Sequence, residues 1–354
     1  MNKDIKTLII LTPGFPQDES DTACLPFLQS LVIELKIQYP LLKVIILAFD
    51  YPFIKTGYEW NQTRVFSFNR WKKSRMIKFY IRLLIHGKIK KLSRENNVLG
   101  LLSLWCGECA LMGSRAAKKN NLPHICWIQG QDAKKGNKYV PMMKPSPGEL
   151  IAISDFIQKE FQSNYGIRPA QVIPLGIRPA EFIGEYPTRD IDILGVGSLI
   201  PLKQYDIFIE IIAELRKFSK DIKVVLCGKG PEESHLKMLI AQYDLKENIT
   251  LRGELPHGEI LKIMMRSRVF LHTSVYEGLA AVFPEALYAG CKVVSFVSPM
   301  DYGIENWHIF RKKEGMIRKI LDILMDPGMQ YTSVLPFTAQ ESIHQIMRLF
   351  NYRN

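Results

Sequence analysis

The chain has 354 residues, 47% of them hydrophobic and 23% charged, with a formal net charge of +12. That composition suits an ordinary globular protein of about two domains, and the positive balance suggests an anionic partner. It excludes a disulfide framework, since the six cysteines are scattered, and it excludes a membrane span, which needs about eighteen consecutive apolar residues.

Read from the start, "TLIIL" (7–11) is a buried strand followed by an apolar-periodic helix over 26–38. The apolar run ends at Pro-Gly and is too short for a secretory signal, so the expected location is cytoplasmic. "KVIILAF" (43–49), "GLLSLW" (100–105), "HICWI" (124–128) and "ELIAIS" (149–154) continue the strands, with helical patterns between most of them. Such β-α-β alternation implies a parallel sheet covered on both faces.

Between Asn61 and Arg94 lie eleven Lys or Arg and no Asp or Glu, mixed with Trp71, Phe79, Tyr80 and aliphatic residues at helical spacing. A basic amphipathic helix of this kind can lie on an anionic membrane, which would make the protein peripheral at the cytoplasmic membrane face; a core helix with a solvated basic side is the alternative. The basic residues lack any nucleic-acid-binding context, so nucleic acid is not expected. Cys106 and Cys109 have CxxC spacing, but no second pair completes a zinc site, and they read as helix-start or packing cysteines.

A Pro-rich, less regular stretch over 173–190 separates a second series of strands: "DILGVG" (192–197), "KVVLCG" (223–228), "NITLRG" (248–253), "RVFLHT" (268–273) and "CKVVSF" (291–296), each joined by a helical pattern. The expected organisation is α/β: an N-terminal Rossmann-like domain over 1–178, a C-terminal one over 179–336, and a last helix within 337–354 that packs back on the N-terminal domain. Two such sheets facing each other form a cleft, and ligands of parallel sheets sit at the carboxyl ends of the strands.

Several segments after strands of the second half carry chemistry. Gly195-x-Gly197 suggests a tight turn with exposed amides beside a helix start, a natural phosphate site. Ile200 stands where a dinucleotide fingerprint needs glycine, and the next strand ends in Cys227-Gly228-Lys229 instead of an acid, so NAD is not expected. Lys203 at a helix start opposes the macrodipole, a cost that makes sense beside a diphosphate. In "EGLAAVFPE" (277–285) the second acid, Glu285, suits the first helical turn after Pro284. Glu277 has no such explanation. A carboxylate at each end of an amide-rich loop suits a ligand with hydroxyls at both ends and an anion between, as in a nucleotide sugar. Asp190-x-Asp192 looks like a metal pair but precedes a strand, and no metal is expected.

The two glutamates separated by seven residues, after a strand ending at Ser274 and before "ALYAGCKVV", resemble the signature of retaining glycosyltransferases of family 4, which have the two-domain GT-B fold. "GVGSLIPLKQYDIFIEII" and "VVLCGKGPEESHLKMLIAQYDLKENITLRGEL" resemble the phosphate-binding segment of that family and the stretch after it. The resemblance is good over 190–300, extends back to about 150, and is looser before that. It implies that Glu277 binds donor-sugar hydroxyls, Glu285 holds the ribose and Lys203 faces the diphosphate. Amides of Gly278, Leu279, Ala280 and Ala281 would support phosphate and sugar, with Gly197, Ser198 and Gly228 lining the site, and the loop at Leu255 would touch the base. Ser198 stands where many relatives have Arg, and Gln204 and Ala280 where glycine is common. In the first domain "WIQGQDA" takes the place of a His-Gly-x-Asp segment. Gln129 then replaces the His, Gly130 matches, and Asp132 would be the acid. Gly14 and Thr22 are candidates for the donor or acceptor side of the cleft.

The implied reaction moves a sugar from a nucleoside-diphosphate sugar to a glycan or lipid-linked acceptor in envelope polysaccharide or glycolipid synthesis, with anomeric configuration retained and no metal or other cofactor. A GT-B epimerase or phosphorylase is one alternative, and a non-catalytic sugar-nucleotide-binding protein, suggested by Ser198 and Gln129, is another.

Overall fold

The computed structural model describes residues 5–184 and 188–352. Residues 185–187, part of the expected linker, lie outside the described residues. Contacts divide the chain into two units. One comprises the residues up to Gly176 and those from Thr338 onward; the other is Ile177–Phe337.

In chain order the first unit contains β1 (Lys6–Gly14), α1 (Pro26–Gln38), β2 (Lys43–Tyr51), β3 (Gly57–Trp60), β4 (Thr63–Ser67), α2 (Arg75–Glu95) and β5 (Asn97–Leu104). It continues with α3 (Glu108–Asn120), β6 (His124–Ile128), α4 (Tyr139–Met143), β7 (Leu150–Ala152), α5 (Asp155–Tyr165) and β8 (Gln171–Val172). The sheet order is β3-β4-β2-β1-β5-β6-β7-β8, and among the described residues only the β3–β4 pair is antiparallel. That hairpin is not anticipated by the sequence pattern. Its turn residues, Asn61 and Gln62, both take positive φ (44° and 57°), the geometry that matches the twist of a two-residue hairpin. Ile9, Leu11, Ile45 and Leu47 of the sheet pack with Ile81, Ile85 and Ile89 of α2 and Met112 and Ala116 of α3; each fully buried aliphatic chain contributes about 1.5–3 kcal/mol.

The second unit contains β9 (Ile191–Val196), α6 (Tyr205–Arg216), β10 (Val224–Cys227), α7 (Glu233–Gln242), β11 (Ile249–Gly253) and α8 (His257–Met265). After these come β12 (Ser267–His272), α9 (Val282–Tyr288), β13 (Lys292–Ser295), β14 (Trp307–Ile309) and α10 (Lys313–Met325). Its sheet is parallel in every described pair, in the order β11-β10-β9-β12-β13-β14. The chain starts at β9, winds out through β10 and β11, then returns to the other side of β9 and winds out through β12 to β14. This is the doubly wound Rossmann order, whose ligand crevice lies where the winding reverses. Here that point is the carboxyl ends of β9 and β12.

The last helix, α11 (Ala339–Leu349), packs on α1 within the first unit. Ser342 Oγ donates to Pro174 O at 2.8 Å and accepts from the Gly176 N–H at 3.1 Å. A Cβ at Gly176 would lie 2.0 Å from the Thr338 carbonyl carbon, so only glycine fits under the start of α11.

Candidate active site

The loops after β9 and β12 carry Lys203 and Glu277 and meet at the reversal point of the second sheet. After β9, Pro201–Lys203 form a 3-10 turn, Gln204 adopts left-handed backbone (φ 48°) and α6 starts at Tyr205. Lys203 therefore ends the turn and lies before the helix. The backbone of this turn is pinned by β12's end. Thr273 Oγ1 donates to the carbonyls of Lys203 (2.8 Å) and Gln204 (2.9 Å), and Ser274 Oγ to that of Leu202 (3.0 Å). The left-handed backbone explains why glycine is natural at 204; a side chain there costs about 1–2 kcal/mol.

Lys203 Nζ donates to Glu277 Oε1, and both side chains are largely buried. The same oxygen lies 3.3 Å from His272 Nε2, at the end of β12. His272 is buried between Phe270 and Phe283, whose rings lie 6.0 and 4.7 Å away. Burial pulls the His272 pKa down, and nearby Lys203 adds to this, so the ring is neutral. A carboxylate can only accept, so Nε2 carries the proton and donates to Glu277. For Glu277 burial acts upward, but the His272 hydrogen bond and the Lys203 charge win, holding it down at about 2. Glu277 is thus a fixed, ionised acceptor at the crevice.

Glu285 sits in the first turn of α9 and is 6% exposed. It accepts from His257 Nε2 at 2.9 Å, at the first residue of α8. Burial pulls the His257 pKa down, but the Glu285 hydrogen bond and charge more than offset it, leaving a net rise above 6.5. Leu255 lies in the loop just before His257, between β11 and α8. The helix containing Glu285 begins at Val282, so Pro284 is its third residue.

The phosphate-side expectations change in detail. The Gly197 N–H donates to Cys227 O at 3.0 Å and the Gly228 N–H to Gly253 O at 2.7 Å. These two amides knit adjacent strand ends together and are not exposed donors. A Cβ at Gly228 would sit 1.9 Å from Gly197 O, so this close packing of β9 and β10 loops is what the glycine supplies. Ser198 is exposed after β9. In the 278–281 loop, Leu279 is 3% exposed and belongs to the core, while Ala280 and Ala281 are half-buried, with Ala281 at the N-cap of α9. No side chain caps that helix start. Asp190 pairs with Arg266 and Asp192 with Arg268, so each acid of the Asp-x-Asp segment is in an ion pair.

In the first unit, Gly14 ends β1 and is buried, and Thr22 is half-buried in the loop that follows. Gln129 and Gly130 follow β6. Asp132 does not project as a free acid. Its carboxylate accepts from the backbone N–H groups of Cys106 (2.6 Å), Gly130 (2.7 Å) and Gln129 (3.2 Å). Burial pushes its pKa up while these N–H groups push it down, with a net rise. The geometry makes Asp132 a clamp that ties the loop after β6 to the start of the β5–α3 loop. Cys106 and Cys109 are both buried free thiols, and burial pushes Cys109 far up, away from thiolate chemistry.

Sequence reasoning misses His272 and His257. Their only signal is position: one ends an apolar strand five residues before Glu277, the other follows the loop expected at the base. Glu277 and His257 set opposite pH limits. Glu277, lowered from 4.5 to about 2, contributes stability that is full above 4.5 and is lost as pH falls toward 2. His257, raised above 6.5, contributes stability that is full below 6.5 and is lost as pH climbs through its folded value. Thermal melts of wild type against Glu277→Gln and His257→Gln are expected to show the acid-side loss missing in the first variant and the loss above pH 6.5 missing in the second.

Residues 179–305 match the family model "Glycosyl transferases group 1". The chain is 30% identical over 224 residues to one of the subunits of human phosphatidylinositol N-acetylglucosaminyltransferase, covering 62% of this chain and 46% of that protein. It is 27% identical over 179 residues to a Campylobacter jejuni 4-alpha-N-acetylgalactosaminyltransferase whose name specifies a diphospho-undecaprenol-linked saccharide, covering 49% and 48%. The chain thus spans less than half of either relative. Among solved structures it is similar to sucrose-phosphate synthase of Thermosynechococcus elongatus (TM-score 0.69, 14% identity, 98% of this chain and 96% of that one). Anabaena HepE, solved with UDP, gives a TM-score of 0.65 at 15% identity, covering 98% and 97%. Identities this low speak for fold, and the family match speaks for the second unit. Residues 179–305 thus carry a group 1 glycosyl transferase match, and the chain has the GT-B fold of its structural neighbours.

Proposed function

We propose that this protein transfers a sugar from a nucleoside-diphosphate sugar to a glycan or lipid-linked acceptor, with retention of anomeric configuration, in envelope polysaccharide or glycolipid synthesis. The observation that carries the reading is the meeting of Lys203 and an ionised Glu277 at the reversal point between β9 and β12. In this reading Glu285 holds the ribose. Lys203 faces the diphosphate, and Glu277 accepts hydrogen bonds from donor-sugar hydroxyls. The named lipid substrates of the human and Campylobacter relatives support a lipid-linked acceptor here.

As the bond between the anomeric carbon and the β-phosphate oxygen breaks, negative charge grows on the diphosphate. In this reading Lys203 stabilises that charge without moving, which is how fixed cations lower barriers. The acceptor oxygen bonds to the anomeric carbon from the face the phosphate leaves, and its proton passes to the departing phosphate oxygen. Neutral His272 keeps Glu277 oriented, so the carboxylate need not rotate to meet the sugar.

Thermal stabilisation by UDP-, GDP- and ADP-sugars tests the reading. A donor at a hundred times its Kd is expected to stabilise by about 2.7 kcal/mol, and the stabilising donor should yield nucleoside diphosphate and an α-configured product in the presence of acceptor. Stabilisation with no transfer would favour a sugar-nucleotide-binding role. No stabilisation by any nucleotide sugar would overturn the proposal.

A further inference from the structure

Helix α2 (Arg75–Glu95) carries two apolar faces, and its fold uses only one. Ile81, Ile85, Ile89 and Leu92 repeat every three or four residues and are buried in the first unit's core. At 100° per residue the opposite side of the helix is Met76, Phe79, Tyr80 and Leu83 in its first turns, then Gly87, Lys90, Lys91 and Arg94. That outer stripe is solvent-facing: Met76 is 84% exposed, Phe79 61%, Tyr80 58% and Leu83 55%. Trp71, 51% exposed, precedes it. The loop carrying exposed Phe53 is tied to the segment leading into Trp71, since Asn69 Nδ2 donates to Phe53 O at 2.7 Å.

Scattered exposed apolar residues need no explanation, but a contiguous set on one helix face does. Its surroundings narrow the choice of occupant. Lys72, Lys73 and Arg75 are exposed at one end of the stripe and Lys90, Lys91 and Arg94 at the other. No Asp or Glu occurs from residue 61 to 94. Among the described ion pairs, Asp50 and Glu108 of neighbouring elements are taken up by Arg70 and Arg82, and Glu95 at the end of the helix pairs with Lys91. What remains is an apolar strip between two sets of cations, complementary to acyl chains under anionic headgroups. No described helix is long and apolar enough to cross a membrane.

We propose that the outer face of α2, with Trp71 and Phe53 beside it, docks on an anionic lipid bilayer, the apolar strip entering the headgroup boundary and the flanking cations facing lipid phosphates. The surface is independent of the sugar-transfer reading: either can fail alone.

Vesicle co-sedimentation of the full chain at about 0.15 M ionic strength tests it. The wild type is expected to pellet with phosphatidylcholine–phosphatidylglycerol vesicles and to stay in solution with pure phosphatidylcholine. Met76→Ser/Phe79→Ser/Leu83→Ser changes only exposed side chains, so it should keep the wild-type melting temperature and lose at least tenfold in partition. Lys72→Ser/Lys73→Ser/Lys90→Ser should lose roughly fivefold per cation on the mixed vesicles, since each is worth about that factor near an anionic surface. The proposal is overturned if the wild type ignores anionic vesicles, or if the apolar triple variant partitions like wild type. It is equally overturned if the wild type is a dimer in solution that the triple variant converts to monomer, because the strip would then belong to a second copy.

Discussion

Lys203→Met is expected to lower kcat by about 10²–10³-fold, the usual loss when one fixed group stabilising transition-state charge is removed. The variant isolates the charge because the backbone at 202–204 is held by the hydroxyls of Thr273 and Ser274, not by the lysine side chain. What it disturbs is Glu277, which keeps His272 but loses its cation. A largely buried carboxylate left without its counter-charge destabilises the fold. The single variant should therefore melt lower than Lys203→Met/Glu277→Gln, in which both charges are gone. The kinetic effect should move the other way: the double variant is no faster than the single one, since neither restores a cation at the diphosphate. Steady-state kinetics on the donor identified by thermal stabilisation, with melts of the three proteins, separates the two effects. A Lys203→Met protein with kcat within a few-fold of wild type would remove Lys203 from the chemistry.

How much of this is legible in the sequence depends on the range of each interaction. The parallel strands are readable because a strand buried on both faces is a short continuous apolar run, as in Ile191–Val196 and Lys292–Ser295. The β3–β4 hairpin is not. Arg64 and Glu59 alternate with buried Val65 and Trp60, and the positive charge of the surrounding stretch masks this period of two. β8 and β14 are two and three residues long and exist only because a neighbouring strand supplies the ladder. The acids Glu277 and Glu285 can be found because their spacing is local. Their histidine partners cannot: His257 meets Glu285 only after the chain has run through α8 and β12, and a lone histidine in an apolar strand, like His272, reads as core. The second apolar face of α2 is visible as composition, but only the burial of Ile81, Ile85 and Ile89 shows which residues are left facing solvent. The amide of Gly197 shows the converse. Its Gly-x-Gly pattern suggests an open donor, and the neighbouring strand end consumes it.

Glu285→Ala is expected to raise the Kd for the nucleoside diphosphate by about 10–100-fold, the range for losing hydrogen bonds to a charged group. The substitution removes an acceptor that α9 and His257 hold in place, so no reorganisation is available to replace it. It also leaves the largely buried His257 without its carboxylate. The imidazole pKa should then fall, because burial lowers it and Glu285 leads the opposing effects. Glu285→Gln distinguishes the two consequences. The amide keeps a hydrogen-bond acceptor for His257 and for a hydroxyl but carries no charge, so it should recover part of the nucleotide affinity while still abolishing the stability loss above pH 6.5. Glu277→Gln provides the contrast. It should lower turnover by about 10–100-fold with nucleoside-diphosphate affinity little changed, because its proposed partners are donor-sugar hydroxyls and not the nucleotide. Isothermal titration with the nucleoside diphosphate, paired with kcat on the intact donor, reads both. If Glu285→Ala binds nucleotide as wild type does, or if the two variants fail in the same parameter, the division of the site into a ribose end and a sugar end is wrong.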